Sequence, residues 1–364
     1  MSLLENSNGP ETITWNGMRV EKEKLQEFFR SSNKISWYIS DKCNFDCFYC
    51  GDGHMGLQSR NAIDMAKLSE SLDRLGKDWV FYITGGEPFL EKNYVEICEE
   101  ITKKHFLSFS SNLTTQNVYD FADRINPGRC LFINASIHPT EREKKDKNFK
   151  LFIEKILYLQ KKGFNIVAVY VSHPTLFERI KSDFETLRAN GVEKANVKLF
   201  RGWYNGKPYP ESLNAKQMEF LETMEADYPE FEIMHEPPRF HGNLCIAGQK
   251  SFAMDRNGKL VRCSSALKKY GNFFDGTMKT DTKPRPCPKS KYACPHECVE
   301  FNLDTKGAHF AMINEDINET WLRLLKGDVI SGAILAGKFW QMIGAFEKAG
   351  IPLDKVKKAF TKSR

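Results

Sequence analysis

The sequence predicts an α/β fold: a partial (β/α)6 barrel of parallel strands, followed by a cysteine-rich C-terminal domain. Three observations predict it. Short, apolar, β-branched runs recur through the first half of the chain, and stretches of helical periodicity separate them. Some of these runs, such as Ile166-Val-Ala-Val-Tyr-Val171, are apolar without interruption, as strands covered on both faces are. Eight of the ten cysteines fall in two groups, three between positions 43 and 50 and five between 245 and 298.

The strands are read at 35–40, 79–84, 106–111, 131–137, 165–172 and 195–200, and helices at 62–75, 93–104, 149–161 and 176–189. Six repeats are too few for an eight-stranded barrel and suit an open one. Beyond Tyr204, the turn-rich run Asn205-Gly-Lys-Pro-Tyr-Pro210 marks a boundary. A helix at 215–224 follows, then a strand-turn-strand signal in Phe252-Ala-Met-Asp-Arg-Asn-Gly258, with the turn at Asn257-Gly258. The expected organisation is an N-terminal extension (1–34), the barrel (35–204), the cysteine-rich domain (205–300) and a helical extension (301–364) with a basic tail.

With 41% hydrophobic and 27% charged residues, the composition is that of a soluble globular protein. A net charge of +6 (53 minus 47) is too weak to argue for nucleic acid. The charged runs at 141–147 and 279–291 read as a solvated helix start and a solvated loop, the second placed to guide an anionic substrate. No signal peptide or membrane-length apolar stretch is visible, and 329–346 reads as an amphipathic helix interrupted by Lys338. Many cysteines without an export signal point to a reducing compartment, so the cytoplasm is the expected location.

The loop after the first strand reads Asp41-Lys-Cys-Asn-Phe-Asp-Cys-Phe-Tyr-Cys50. Three thiolates at x3 and x2 spacing hold three corners of a cubane cluster and leave one iron open, where a closed [4Fe–4S] site takes four. The same thiols alone also suit zinc or a buried apolar role. The second strand ends in Thr84-Gly-Gly-Glu-Pro88, where two glycines permit close backbone approach and Glu87 follows with a carboxylate. Polar residues close the later strands: Ser110, Ser111 and Asn112, then Ser136 and His138, then Ser172 and His173, then Arg201.

The cysteine triplet with Tyr49 before its last member, followed one βα unit later by Gly85-Gly86-Glu87-Pro88, closely resembles the radical S-adenosylmethionine (radical SAM) signature. The resemblance implies a [4Fe–4S] cluster on Cys43, Cys47 and Cys50 whose open iron binds SAM. It also implies cofactor contacts from Tyr49, Gly85, Gly86, Glu87, Pro88, Asn112 and Ser136, and leaves His138, His173 and Arg201 as candidates to face substrate. The later group, Cys245, Cys263, Cys287, Cys294 and Cys298, resembles the SPASM/Twitch extension of these enzymes. Five cysteines suit one auxiliary [4Fe–4S] cluster, with Cys245, Cys263 and Cys298 the firmest ligands and the fourth being Cys294 or Cys287. Zinc is the alternative read from spacing alone. Cys98 and Cys130 read as core residues.

The function expected is reductive cleavage of SAM to a 5′-deoxyadenosyl radical that takes hydrogen from a small polar metabolite (a sugar, cyclitol or nucleotide derivative), for dehydrogenation or epimerisation. The alternative is maturation of a ribosomally made peptide or a protein. Only about 34 residues precede the first strand, too few for the peptide-binding domain that such maturases often carry. A flavodoxin or ferredoxin is the expected electron donor. A cluster-bearing binding protein without turnover is disfavoured by the intact motifs.

Overall fold

The computed structural model describes residues 12–15, 18–21, 24, 32–50, 61–76, 78–144, 149–224, 244–264, 266–288 and 302–303. A short hairpin, β1 (Thr12–Trp15) and β2 (Met18–Glu21), precedes the main sheet. Alternation then begins: β3 (Asn33–Ser40), α1 (Met65–Asp73), β4 (Trp79–Gly85), α2 (Tyr94–Thr102), β5 (Phe106–Ser111), α3 (Asn117–Arg124) and β6 (Cys130–Ser136). It continues through α4 (Pro139–Glu143), α5 (Lys150–Lys161), β7 (Ile166–Val171), α6 (Phe177–Ala189) and β8 (Ala195–Lys198).

β3 to β8 lie side by side in chain order, all parallel. The predicted α/β class and the six parallel strands are therefore observed. Alternate residues set the two faces of the sheet. Ile35, Trp37, Phe81, Ile83, Phe109, Ile133, Ala168 and Val197 join one buried cluster with Leu68, Ile97, Phe121, Phe152 and Phe184 from the helices. Residues between them, such as Ser36, Tyr82, Asn134 and Asn196, face the inner side. Helix α3 was not expected between the third and fourth strands. Its apolar residues Val118, Phe121 and Ala122 have helical spacing and are buried, but they occupy barely two turns.

The turn-rich run at 205–210 forms a hairpin, β9 (Gly202–Tyr204) with β10 (Lys207–Tyr209), turned through Asn205 and Gly206, both at positive φ. Helix α7 (Ala215–Glu222) carries an Asn214–Gln217 capping box. The strands β11 (Leu244–Cys245), β12 (Ser251–Met254), β13 (Lys259–Cys263), β14 (Ala266–Asn272), β15 (Arg285–Pro286) and β16 (Asn302–Leu303) complete the described elements. β12 and β13 form the hairpin expected around Asn257-Gly258. β12 also pairs in parallel with β3, so the main sheet has nine strands, in the order β14-β13-β12-β3-β4-β5-β6-β7-β8. Arg256, at the hairpin turn, reaches across to the buried carboxylate of Glu91 with two contacts of 2.9 Å. Of the expected helical extension at 301–364 only residues 302–303 are described, and they form β16 instead; the segment 329–346 lies outside the described residues. Among the described residues no helix is long and apolar enough to cross a membrane.

His105 locks α1 to β4. Its Nδ1 accepts the Trp79 N–H (3.3 Å), so the neutral ring carries its proton on Nε2, 3.2 Å from the Leu72 carbonyl. Burial holds its pKa below 6.5. Above about pH 6.5 both folded and unfolded states are neutral, and the group contributes no pH dependence. Below that, the unfolded chain takes up a proton that the folded chain resists, so stability falls with pH. Urea unfolding at pH 7.5 and 5.5 should therefore show a loss on acidification that is smaller in His105→Gln than in wild type.

Candidate active site: a cysteine loop backed by buried polar residues

The cysteine loop leaves the carboxyl end of β3, where parallel α/β sheets carry their sites. Its first residues are gripped by the segment after β4: Gly86 N–H donates to the Ser40 carbonyl (2.6 Å) and Glu87 N–H to the Lys42 carbonyl (2.8 Å). A Cβ on Gly85 would stand 2.2 Å from the Ser40 oxygen, and one on Gly86 2.2 Å from the Lys42 oxygen. Gly85 is also at φ +120. Both glycines are thus required by backbone contact with the loop itself.

Glu87 turns inward and is almost fully buried. Its carboxylate accepts from Phe89 N–H (3.1 Å), the Ser111 hydroxyl (2.7 Å) and Asn112 N–H (2.6 Å). Burial raises its pKa, and these bonds oppose the rise. The Asn112 side chain donates to Asn44 Oδ1 (2.9 Å) and lies 4.0 Å from Cys43 Sγ, while its own oxygen accepts from Thr114 N–H and hydroxyl. Asn44 in turn donates to the Thr114 hydroxyl (2.7 Å). A chain of bonds therefore runs from Glu87 through the end of β5 to the first cysteine.

Arg142 performs a similar service from the other side. Buried, it donates to the carbonyls of Ile137 (2.8 Å), Asn112 (2.7 Å) and Ser136 (3.0 Å), and packs over the Phe152 ring at 4.0 Å. Neighbouring Glu141 is also buried and accepts from Asp46 N–H (3.1 Å) within the loop. The expectation of a solvated helix start at 141–147 is corrected for these two residues: α4 packs them under the cysteine loop. Their side chains pair with loop backbone and strand-end carbonyls, which the sequence does not display.

Cys43 is half-buried, Cys47 buried and Cys50 exposed. Phe45 N–H points at Cys43 Sγ (3.4 Å), and Cys50 N–H closes a turn on the Cys47 carbonyl (2.9 Å). Burial first, then the charges of Cys50 and Glu141, push the Cys47 thiol up to about 12. Burial likewise raises Cys43. Three thiolates in this loop need a cationic partner, and an iron–sulfur core held by three cysteines answers that need. The donor set fits the cluster.

Residues 37–189 match the model of the Radical SAM superfamily. That segment is similar to the superfamily, whose cofactors are a [4Fe–4S] cluster and S-adenosylmethionine. Curated relatives include a GTP 3′,8-cyclase of Psychromonas ingrahamii, 24% identical over 58% of this chain and 58% of that protein. A probable GTP 3′,8-cyclase of Pyrococcus abyssi is 28% identical over 33% of this chain and 39% of its own. The match thus spans 58% or less of the length of these curated relatives. Similar solved structures are native anSMEcpe with bound AdoMet (TM-score 0.48, 16% identity, 67% of this chain and 79% of that one) and Streptococcus suis SuiB bound to S-adenosylmethionine (0.47, 16%, 70% and 66%).

In the segment similar to that superfamily, Tyr49 stands between two histidines, stacked on His138 (6.0 Å) and His173 (5.9 Å). His138, in the left-handed backbone region, places Nδ1 3.1 Å from the Tyr49 hydroxyl and 3.3 Å from Cys47 Sγ. Burial pushes its pKa down to about 3, keeping it neutral. His173 is ringed by Phe48, Phe200 and Tyr204 as well as Tyr49, and its Nδ1 accepts the Thr175 N–H (3.3 Å). The structure thus brings His138 and His173 together around Tyr49. Arg201 lies further on, half-buried between β8 and β9. Pro88 starts a short 3-10 turn capped by Glu87.

Of the second cysteine group, Cys245, Cys263 and Cys287 are described, and Cys294 and Cys298 lie outside the described residues. Cys245 and Cys263 pack in one cluster with Tyr82 and Phe132 of the inner face. Cys245 is in register with Arg285, two residues before Cys287. Buried Arg262, next to Cys263, donates to the carbonyls of Ala247 (3.1 Å), Pro286 (2.9 Å) and Arg285 (2.8 Å). One guanidinium therefore ties together the three segments that bear these cysteines. Cys98 and Cys130 are core residues, as expected.

Two outcomes follow for anaerobically reconstituted protein. Arg142→Met should lower stability in urea by about 3 kcal/mol, because three carbonyls lose a charged donor, and should reduce iron retained by the first cysteine group. Arg262→Met should reduce iron per chain while leaving the iron bound by Cys43, Cys47 and Cys50 in place, read by iron analysis in a Cys245→Ala/Cys263→Ala background and without it.

Proposed function

We propose that this chain is a radical SAM enzyme that takes a hydrogen atom from a small polar metabolite, a sugar, cyclitol or nucleotide derivative, to dehydrogenate or epimerise it. The observation that carries the reading is the three-thiol loop held at the strand ends by Gly85, Gly86, Glu87 and Asn112. When bound, the cluster supplies the electron that splits SAM into methionine and the 5′-deoxyadenosyl radical, which abstracts the hydrogen atom. The chain's own part is to hold the thiolates, fix the strand ends through Arg142, and keep water away with Tyr49 and Phe200. Tyr49, Gly85, Gly86, Glu87, Pro88, Asn112 and Ser136 are the proposed cofactor shell. In that shell Glu87 acts by positioning Asn112. A flavodoxin or ferredoxin supplies the electron.

Cys245, Cys263 and Cys287 are proposed to hold an auxiliary [4Fe–4S] cluster with Cys298 or Cys294. The β11–β15 pairing favours Cys287 as a ligand, since it carries that cysteine toward Cys245. In a dehydrogenation this cluster would accept the second electron. The curated relatives, named as cyclases of GTP, support the small-metabolite reading, because a nucleotide belongs to that class.

Reconstituted wild type should carry about eight irons and release 5′-deoxyadenosine from SAM under reductant. Changing Cys43, Cys47 and Cys50 to Ala should leave about four irons and no 5′-deoxyadenosine. Sugars, cyclitols and nucleotides are then screened against short peptides for stimulation of that release. Stimulation by peptides alone would falsify the small-metabolite reading.

A further inference from the structure

The inner face of the sheet carries buried polar atoms that nothing among the described residues satisfies. Asn196, on β8, is 1% exposed, and among these residues neither its Oδ1 nor its Nδ2 has a hydrogen-bond partner. Asn134 Oδ1 on β6 and Ser36 Oγ on β3 are likewise buried without a partner. All three face the inner side, because their chain neighbours do not: Ala195 and Val197, Ile133 and Ala135, and Ile35 and Trp37 pack into the cluster beneath the helices. Folding does not keep such atoms cheaply. A buried amide with both ends unpaired is strongly unfavourable beside an apolar side chain of similar shape.

Register gives the depth of these residues. Asn196 pairs with Val169, and Val169 with Ser136, so Asn196 lies level with Ser136 two strands away, about 10 Å across the sheet. Asn134 sits one inward-facing position deeper than Ser136 on the same strand. A molecule lying over Val167 and Val169 therefore has Asn196 on one flank, Asn134 on the other, and the proposed cofactor shell above it.

We propose that Asn196 and Asn134 form a substrate-reading site that recognises an amide edge, an adjacent N–H and C=O in one plane. The inference rests on the radical chemistry of the proposed function; a nucleobase edge would narrow its small-metabolite class, and a peptide bond would replace that class. Asn196 presents a donor and an acceptor side by side, and reversing its amide leaves that pattern unchanged. A phosphate or carboxylate satisfies only the donor and faces the bare Oδ1. An ammonium satisfies only the acceptor. A lactam or carboxamide satisfies both at once, and a further N–H or O–H on the ligand meets Asn134 Oδ1. A nucleobase edge and a peptide bond share this chemistry, and the test separates them.

The test uses reconstituted full-length protein and two variants, Asn196→Leu and Asn196→Ala. Because the amide is unpaired, Asn196→Leu should raise the melting temperature by about 2–4 °C. A fall shows a structural partner and overturns the proposal. Probes are guanosine and uridine triphosphates for the nucleobase edge, N-acetylated dipeptide amides for the peptide bond, and glucose 6-phosphate as a ligand without an amide. In wild type one amide-bearing set should stimulate 5′-deoxyadenosine release, and in both variants that stimulation should fall at least tenfold. Stimulation by the amide-free sugar alone, by none of the probes, or equally in wild type and Asn196→Ala overturns the amide site while leaving the radical reading intact. Absence of 5′-deoxyadenosine from wild type under every condition removes that reading as well.

Discussion

Two backbone hydrogen bonds organise the active end of this protein. Gly86 to Ser40 and Glu87 to Lys42 continue the pairing of β3 with β4 beyond the sheet and bind the start of the cysteine loop to the end of the neighbouring strand. They form only because neither glycine has a Cβ to strike the carbonyls opposite. Once that contact is made, Glu87 has no outlet to solvent. Its carboxylate reaches down to Ser111 and Asn112, and Asn112 braces the loop from behind. The loop's position is therefore inherited from the sheet.

Charge is handled in the same economical way. A buried carboxylate and a buried guanidinium lie beneath one site, and the field of Arg142 lowers the pKa of Glu87 against the effect of burial. Arg142 spends its donors on carbonyls at the ends of β5 and β6, while Arg262 does the same for the segments around Cys245 and Cys287. Each cysteine group thus rests on a fork-shaped cation whose planar donors suit several carbonyls at once.

Much of this was legible in the sequence. The strand runs, the cysteine loop at the end of β3 and the hairpin at Asn257-Gly258 stand where periodicity and turn chemistry put them, because each is a local property. Helix α3 escaped notice because it is only eight residues long, although its apolar residues have clear helical spacing. Glu141 and Arg142 were misread because a charged run looks the same whether water or a strand-end carbonyl receives it. The sequence showed Glu87 following the two glycines but not where its carboxylate points, which is the β5 end. That direction depends on β5 being its neighbour, which is a fact of topology. The unpaired Asn196 was invisible for the same reason: only the sheet shows what fails to meet it.

The parallel seam between β12 and β3 has a consequence for anyone trimming this chain. β3 is eight residues long, and in six strands alone it would form an outer edge with its N–H and C=O groups open to any passing strand. β12, β13 and β14 cover that edge. A fragment ending before Ser251 would keep the cysteine loop and its glycine brace and would also offer other copies of itself a ready template for strand addition. The hairpin that brings Cys263 to the sheet is therefore also the domain's guard against self-association.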